Sequence, residues 1–178
     1  MPASLYQNQN TQKISESLKS GTVTRWGQKV SSAPIVIDGV ETNWRIEGKY
    51  VAFVEFDGGS LAVLDCKVTT SELDDSKIDL YWPQLEFYAY ALKNPATGAS
   101  ETVSETGLLV WRIAGADINH LDNFLFNAEM QYLSAGRQAD RFEARLKEVI
   151  SLIDGPMPES DQKCDNCRYI SKRLAIKS

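Results

Sequence analysis

The sequence predicts a single α/β domain spanning residues 1–178. Two strand-like segments joined by a tight turn, and segments with helical spacing on either side of them, support this fold class. The predicted elements follow the order helix, strand, strand, helix, strand, strand, helix. A chain of 178 residues is typical of one domain and buries enough surface to fold without a disulfide or a structural metal.

The clearest pattern is a β-hairpin. Over residues 44–56, mostly apolar residues alternate with mostly charged ones, and this period of two predicts a strand. Residues 57–59, Asp-Gly-Gly, are typical of a tight turn, and a second strand is predicted over residues 60–69. Because residues 61–64 form a continuous apolar run, we expect the second strand to be central and buried on both faces.

Further elements are predicted on both sides of this hairpin. They cover residues 11–20 (helix), 77–92 (helix), 107–113 (buried strand), 122–133 (edge strand) and 138–153 (amphipathic helix). In the second helix the regular part is expected to begin at Pro83, because proline is favoured in a first helical turn. Residues 158–178 are predicted to form a mobile polar tail.

Charge and composition restrict the class of protein. The net charge of −5 is evidence against broad nonspecific nucleic-acid binding, although a local basic groove or bound divalent cations can dominate a site. No apolar run approaches the roughly 20 residues that a membrane span needs, and the first 20 residues lack the apolar core of a signal peptide. Three cysteines, an odd number, agree with a reducing compartment, so we expect a cytoplasmic protein.

Asp65-Cys66-Lys67 lies near the end of the second, apolar strand. Ionisable residues at such a position are costly to bury without a partner or a metal. Asp65 and Lys67 are two residues apart, so their side chains leave the same face of the strand. A carboxylate there can hold Mg²⁺, and an ammonium beside it can orient water or neutralise developing phosphate charge. Phosphodiester hydrolysis needs this combination, although most Asp-x-Lys pairs are solvated strand ends.

Other hydrolytic sites lack support in the sequence. His120 is the single histidine and is expected in a surface loop, which excludes a zinc site built from several histidines. No glycine-rich loop ending in Lys-Ser or Lys-Thr occurs, which excludes a P-loop ATPase. The four tryptophans are expected in the core rather than in base stacking.

The helix after the second strand carries Gln84 and Tyr88 four residues apart. With Asp65-Cys66-Lys67 before it, this arrangement resembles the RecB-like branch of the PD-(D/E)XK nucleases. That pattern is a Gly-x-x-Asp strand, a hairpin, an Asp/Glu-x-Lys strand and a helix with Gln-x-x-x-Tyr. The resemblance is strong over the central third of the chain. It implies a restriction-endonuclease-like core with a central mixed β-sheet flanked by helices.

The resemblance also implies a role for each matched residue. Asp65 would be a ligand of Mg²⁺ or Mn²⁺, and the carbonyl of Cys66 would add a further oxygen. Lys67 would be the catalytic lysine, supported by Gln84 from the helix. Tyr88 would pack or hydrogen-bond beside the nucleic acid, although a Tyr in the core and a solvated Gln remain the alternative. The implied activity is metal-dependent DNA hydrolysis in recombination, repair or phage DNA processing, with DNA and a protein partner of such a complex as partners.

One position departs from the family pattern. Counting from Gly48, the metal-binding Asp of the family would fall at position 51, where this chain has Val51. Valine offers no ligand, so either activity is impaired or another carboxylate, such as Glu41 or Glu86, takes over. The first alternative describes a catalytically impaired nuclease-fold module that binds DNA or a protein partner.

The cysteines form a second departure. Some RecB-like nucleases hold an iron–sulfur cluster with one early and three late cysteines, whereas here the late part is Cys164-x-x-Cys167 alone. Cys66 is the only other cysteine, and a closed cluster needs four thiolates. We therefore expect no cluster, and a remnant, a redox pair, half of a shared zinc site or a plain reduced pair remain open for Cys164 and Cys167.

Overall fold

A computed structural model describes residues 14, 16, 25–49, 52–71, 76–120, 123–161 and 163–175. The contacts divide the chain into two units, Met1–Phe142 and Glu143–Ser178. The single domain predicted from chain length stays a prediction.

The first unit is built on a five-stranded sheet with the order β1-β6-β7-β8-β9. Its strands are β1 (Arg25–Trp26), β6 (Ala52–Glu55), β7 (Leu61–Thr69), β8 (Val103–His120) and β9 (Asn123–Ser134). Strands β7 and β8 are parallel, whereas the other neighbours are antiparallel, so the sheet is mixed. The predicted α/β fold with a mixed sheet is confirmed.

Two small sheets and the helices complete the described elements. Strand β2 (Lys29–Ser31) pairs with β5 (Glu47–Lys49), and β3 (Val36–Ile37) pairs with β4 (Val40–Glu41). The helices are α1 (Ser76–Lys93), α2 (Ala139–Asp154) and α3 (Asp165–Ala175). Within the described part of the chain, no helix combines the length and apolar character needed to cross a bilayer.

Strand β7 is buried on both faces, as its apolar run predicts. On one face, Leu61 and Val63 pack in a cluster with residues of α1, namely Tyr88, Ala89 and Leu92. On the other face, Ala62 and Leu64 pack with Ile14, which lies in the predicted helix over residues 11–20. Of that helix only Ile14 and Glu16 are described, and both are helical.

The hairpin is confirmed, but its first strand is shorter than predicted. Strands β6 and β7 pair from Glu55 with Leu61 to Ala52 with Leu64. Within the predicted strand over residues 44–56, β5 pairs with β2, and β6 pairs with β7 and β1, while residues 50 and 51 lie outside the described part of the chain. A period of two marks extended backbone, but it does not specify the partner strand.

Strands β8 and β9 form a longer hairpin than the sequence predicts. Strand β8 begins at Val103 rather than 107 and continues to His120, which pairs with Asn123. The prediction that His120 lies in a loop is therefore wrong. Cross-strand pairing extends the strand beyond its apolar part. Strand β9 lies at the edge of the sheet, as predicted.

The helix predictions need two corrections. Helix α1 begins at Ser76 and runs through Pro83, so the prediction that regular helix begins at Pro83 is wrong. Helix α2 matches its predicted bounds within one residue at each end. Helix α3, however, forms within the segment 158–178, where only a polar tail was predicted. The mobility of that segment stays a prediction.

Gly107 is needed where β8 meets β9. A Cβ atom at this position would lie 2.3 Å from Cε2 of Tyr132, far inside van der Waals contact. The Tyr132 hydroxyl donates to the buried carboxylate of Glu105 at 3.5 Å, and Ser134 Oγ donates to the same oxygen at 2.5 Å. Burial, and then the charge of Glu105, raise the pKa of Tyr132, so the hydroxyl stays protonated as a donor.

Replacing Gly107 with Ala should therefore destabilise the protein by about 1–3 kcal/mol, the usual cost of overpacking a filled core. Gly58→Ala is the matched control, because a Cβ atom there meets no atom within 4 Å. Urea unfolding followed by circular dichroism measures both variants. Equal losses of stability in the two variants would show that the Tyr132 ring moves aside without an energetic cost.

Candidate active site

Asp65 and Lys67 leave β7 on the face that α1 covers. Asp65 is next to Leu108 of β8, which packs against Leu85 of α1. The side chain of Asp65 is almost fully buried, with the residue 3% exposed, whereas that of Lys67 is 28% exposed. Lys67 Nζ lies 2.6 Å from Asp65 Oδ2, so the acid and the amine share one place, as their spacing predicts.

Asp65 Oδ2 is not fully satisfied by this contact. The distance to Lys67 defines an ion pair, but the oxygen has no partner with hydrogen-bond geometry among the residues that the structure describes. Buried polar atoms are almost always hydrogen-bonded, and an exception calls for an explanation such as a missing ion. The oxygen therefore retains lone pairs for a cation.

Tyr81 of α1 holds the other end of this pair. Lys67 Nζ lies 4.3 Å from the centre of the Tyr81 ring, a cation–π contact that keeps the ammonium over α1. The sequence motifs did not single out Tyr81 as a site residue. The signal was its spacing, because Tyr81 precedes Gln84 by three residues and therefore lies about one turn away on the same side of the helix.

Gln84 and Tyr88 form a hydrogen-bonded chain that ends on β5. Gln84 Nε2 donates to the Tyr88 hydroxyl at 3.1 Å, and that hydroxyl donates to the Lys49 carbonyl at 3.0 Å. A Cβ atom on Gly48 would lie 3.0 Å from the Tyr88 ring, so glycine permits the close approach. Tyr88 is only 7% exposed, and its contact with nucleic acid stays a prediction.

This geometry agrees with a comparison against protein families. A model of the PD-(D/E)XK nuclease superfamily matches residues 4–171, nearly the whole chain. The chain belongs to the PD-(D/E)XK nuclease superfamily. The mixed sheet with flanking helices is consistent with the restriction-endonuclease-like core, so the predicted fold class is confirmed.

Other comparisons add little detail. No curated protein matches the chain. One solved structure that it resembles is described as "Crystal structure of SSO0001", with 15% sequence identity and a TM-score of 0.43. The match covers 89% of this chain but only 65% of that protein.

The superfamily pattern includes a second metal-binding carboxylate besides that of Asp65. Val51, which occupies its place in the sequence pattern, lies outside the described residues. The described register ends with Ala52 opposite Leu64, one residue before Asp65. Among the described residues, no three Asp, Glu, His or Cys side chains cluster as a metal site.

The residues present nevertheless fit a divalent cation. Mg²⁺ is commonly held by one or two protein carboxylates together with water and substrate phosphates. Asp65 supplies one carboxylate with an unsatisfied buried oxygen. Its neighbour Cys66 is half-buried, and its side chain leaves the opposite face of β7, where burial and the charge of Asp65 raise the pKa of the thiol. A metal contact of the Cys66 carbonyl stays a prediction.

Glu86 does not supply the missing ligand. The residue is 1% exposed, and its carboxylate is satisfied by Arg137, whose Nε and Nη2 both donate to it at 3.0 Å. The backbone amide of Gln138 donates to Glu86 Oε1 at 2.6 Å. The other candidate, Glu41, lies exposed in the β3–β4 hairpin. The structure therefore assigns Glu86 to the core rather than to a metal.

Cys164 and Cys167 lie in the second unit, where Cys164 immediately precedes α3 and Cys167 occupies its first turn. Hydrogen bonds from the backbone and thiol of Cys167, and from the backbone of Asn166, lower the pKa of Cys164. Both thiols are free. The expectation that the protein holds no iron–sulfur cluster stays a prediction.

The Glu86–Arg137 pair provides a stability test. Glu86→Gln should destabilise the protein by about 2–3 kcal/mol, somewhat below the usual cost of breaking a buried pair because Arg137 is partly exposed. Thermal unfolding with and without Mg²⁺ should show the same loss. A loss that appears only with Mg²⁺ would instead identify Glu86 as a metal ligand.

Proposed function

We propose that this protein is a metal-dependent DNA nuclease of the RecB-like branch that acts in recombination, repair or phage DNA processing. The observation that carries the proposal is the buried, unsatisfied oxygen of Asp65 beside the Lys67 ammonium. Membership of a nuclease superfamily supports hydrolysis of phosphodiester bonds. The three free cysteines accord with work in the reducing cytoplasm.

In this proposal Asp65 and Lys67 divide the chemistry. Asp65 Oδ2, with the Cys66 carbonyl, would hold Mg²⁺ or Mn²⁺, which supplies Lewis-acid polarisation of the phosphate and acidifies bound water. Lys67 Nζ has three N–H donors and lies directly beside that oxygen. It can orient the attacking water and neutralise the charge that develops on the phosphate oxygens.

Gln84 and Tyr88 are proposed as positioning residues. Their hydrogen bonds tie α1 to the Lys49 carbonyl, and α1 also carries Tyr81 against Lys67. Loss of this chain would release α1 from β5 and so loosen the helix that carries Tyr81 against Lys67. Small misplacements of catalytic groups are costly in rate, so the contribution of Gln84 would be indirect.

A second candidate function follows from Val51. Without an aspartate at that position, the cation would have one protein carboxylate fewer than the superfamily pattern provides. In that case the fold would act as a catalytically impaired module that binds DNA or a protein partner. DNA binding without cleavage in Mn²⁺ would favour this candidate.

The nuclease proposal predicts that Lys67→Ala lowers the rate of DNA cleavage by about 10²–10³-fold, because it removes a cation aimed at the reacting phosphate. Linear DNA with Mg²⁺ or Mn²⁺ is the substrate. Lys93→Ala, at the exposed end of α1, is the matched control and should cleave like the original protein. Identical cleavage by Lys67→Ala and the original protein would remove Lys67 from the mechanism.

Restoring the missing carboxylate provides a second test. Val51→Asp should raise cleavage and lower the Mg²⁺ concentration needed for half-maximal rate, because a second carboxylate strengthens binding of the cation. Val51→Asn introduces a side chain of nearly the same shape as Asp but without its charge, and it serves as the control. An unfolded or unchanged Val51→Asp variant would count against the proposed site.

A further inference from the structure

A cavity of about 690 Å³ lies in the first unit, and neither Asp65 nor Lys67 lines it. Its walls are the β2–β5 sheet, the last turn of α1 and the loop that follows α1. The charged side chains at its lining are Arg25, Lys29, Glu47, Lys49 and Glu101. Its volume lies within the range of ligand sites, which usually place a few polar groups on a preformed wall.

Lys29 and Lys49 are directly opposite each other in the antiparallel β2–β5 pair. Like charges in this position repel and destabilise a sheet. Neither ammonium has a carboxylate partner within the described part of the chain, whereas Arg25 is paired with Glu101. Two facing ammonium groups without an ion-pair partner among the described residues can hold an anion between them.

The cavity is also held in shape before any ligand arrives. A Cβ atom on Gly27 would lie 3.5 Å from Cε of Lys49, so the lysine stem packs over this glycine. The loop after α1 is tied to β2 because the amide of Ala96 donates to the Ser31 carbonyl at 2.8 Å. The amide of Ala33 donates to the Asn94 carbonyl at the same distance.

Strand β5, which carries Lys49, connects this cavity with the candidate active site. The Lys49 carbonyl accepts from Tyr88, which accepts from Gln84, and Ala91 at the cavity lies ten residues after Tyr81 on α1. Ten helical residues span roughly 15 Å. Stacked nucleotides advance about 3.4 Å each, so this span corresponds to roughly four nucleotide steps.

We propose that Lys29 and Lys49 together bind a backbone phosphate of the DNA strand whose scissile bond lies at Asp65 and Lys67. This inference rests on the proposed nuclease function and names its substrate-binding subsite. A chain of net charge −5 needs such local cations, because its overall field repels DNA.

The test is DNA binding by the full chain without a divalent metal, so that cleavage does not interfere. A fluorescein-labelled oligonucleotide is titrated with the original protein and with the Lys29→Gln, Lys49→Gln and double variants. The double variant should bind at least several-fold more weakly. The slope of log K against log salt should fall by about 1–2, because each lysine that contacts phosphate releases about one counterion.

Two controls make the result specific. Lys147→Gln removes an exposed lysine of α2 and should leave affinity and salt slope nearly unchanged. The urea midpoint of the double variant should equal or exceed that of the original protein, because the repulsion between facing lysines is gone. A lower midpoint would show damage to the fold and overturn the repulsion argument.

The outcomes separate this inference from the proposed function. Unchanged binding by the double variant, a loss equal to that of Lys147→Gln, or no DNA binding by the original protein overturns the subsite. Lys67-dependent cleavage would still support the nuclease. Conversely, Lys29- and Lys49-dependent binding by a protein that never cleaves in Mn²⁺ leaves the subsite standing and removes the nuclease activity.

Discussion

The burial of the Asp65 carboxylate is the constraint on which the rest of the site depends. Removing an ionised carboxylate from water costs several kcal/mol unless its lone pairs are satisfied. Lys67 offsets part of this cost, but one oxygen keeps no well-directed hydrogen bond among the described groups. Glu86 shows the contrast, because Arg137 and the Gln138 amide satisfy a carboxylate that is buried to a similar extent. Among the buried carboxylates that the structure describes, Glu86 and Glu105 are satisfied by protein donors, whereas Asp65 keeps an oxygen available to a cation.

The surrounding structure keeps Asp65 in this state. Strand β7 lies in the middle of the sheet, so neither of its faces can open to water without losing core contacts. Helix α1 covers the Asp65 face and is fixed at both ends of its contact, by Tyr81 on Lys67 and by Tyr88 on β5. The packing of the Tyr88 ring on Gly48 leaves little freedom for the helix to shift. The positions of the acid and the amine are therefore determined by the core rather than by a flexible loop.

Much of this arrangement could be predicted from the sequence because it depends on local periodicity. The period of two places Asp65 and Lys67 on one face, and the apolar run before them predicts a central strand. What could not be predicted depends on partners distant in the chain. The pairing of β5 with β2, the length of β8 and the cation–π contact of Tyr81 are decided by cross-strand and helix–sheet packing. Helix α1 continues through Pro83 because tertiary packing outweighs one lost hydrogen bond.

The lack of a carboxylate at Val51 bears on two affinities of the site, that for a metal and that for DNA. A cation held by Asp65 alone keeps a larger uncompensated positive charge than one held by two carboxylates, so it binds the protein weakly and attracts phosphate more strongly. Substrate phosphates would then complete its coordination, and metal and DNA would each strengthen the binding of the other by the same factor. Such a site needs DNA to be held by contacts that do not depend on the metal. The facing Lys29 and Lys49, of which Lys49 lies on the strand that Tyr88 ties to α1, are suited to that task.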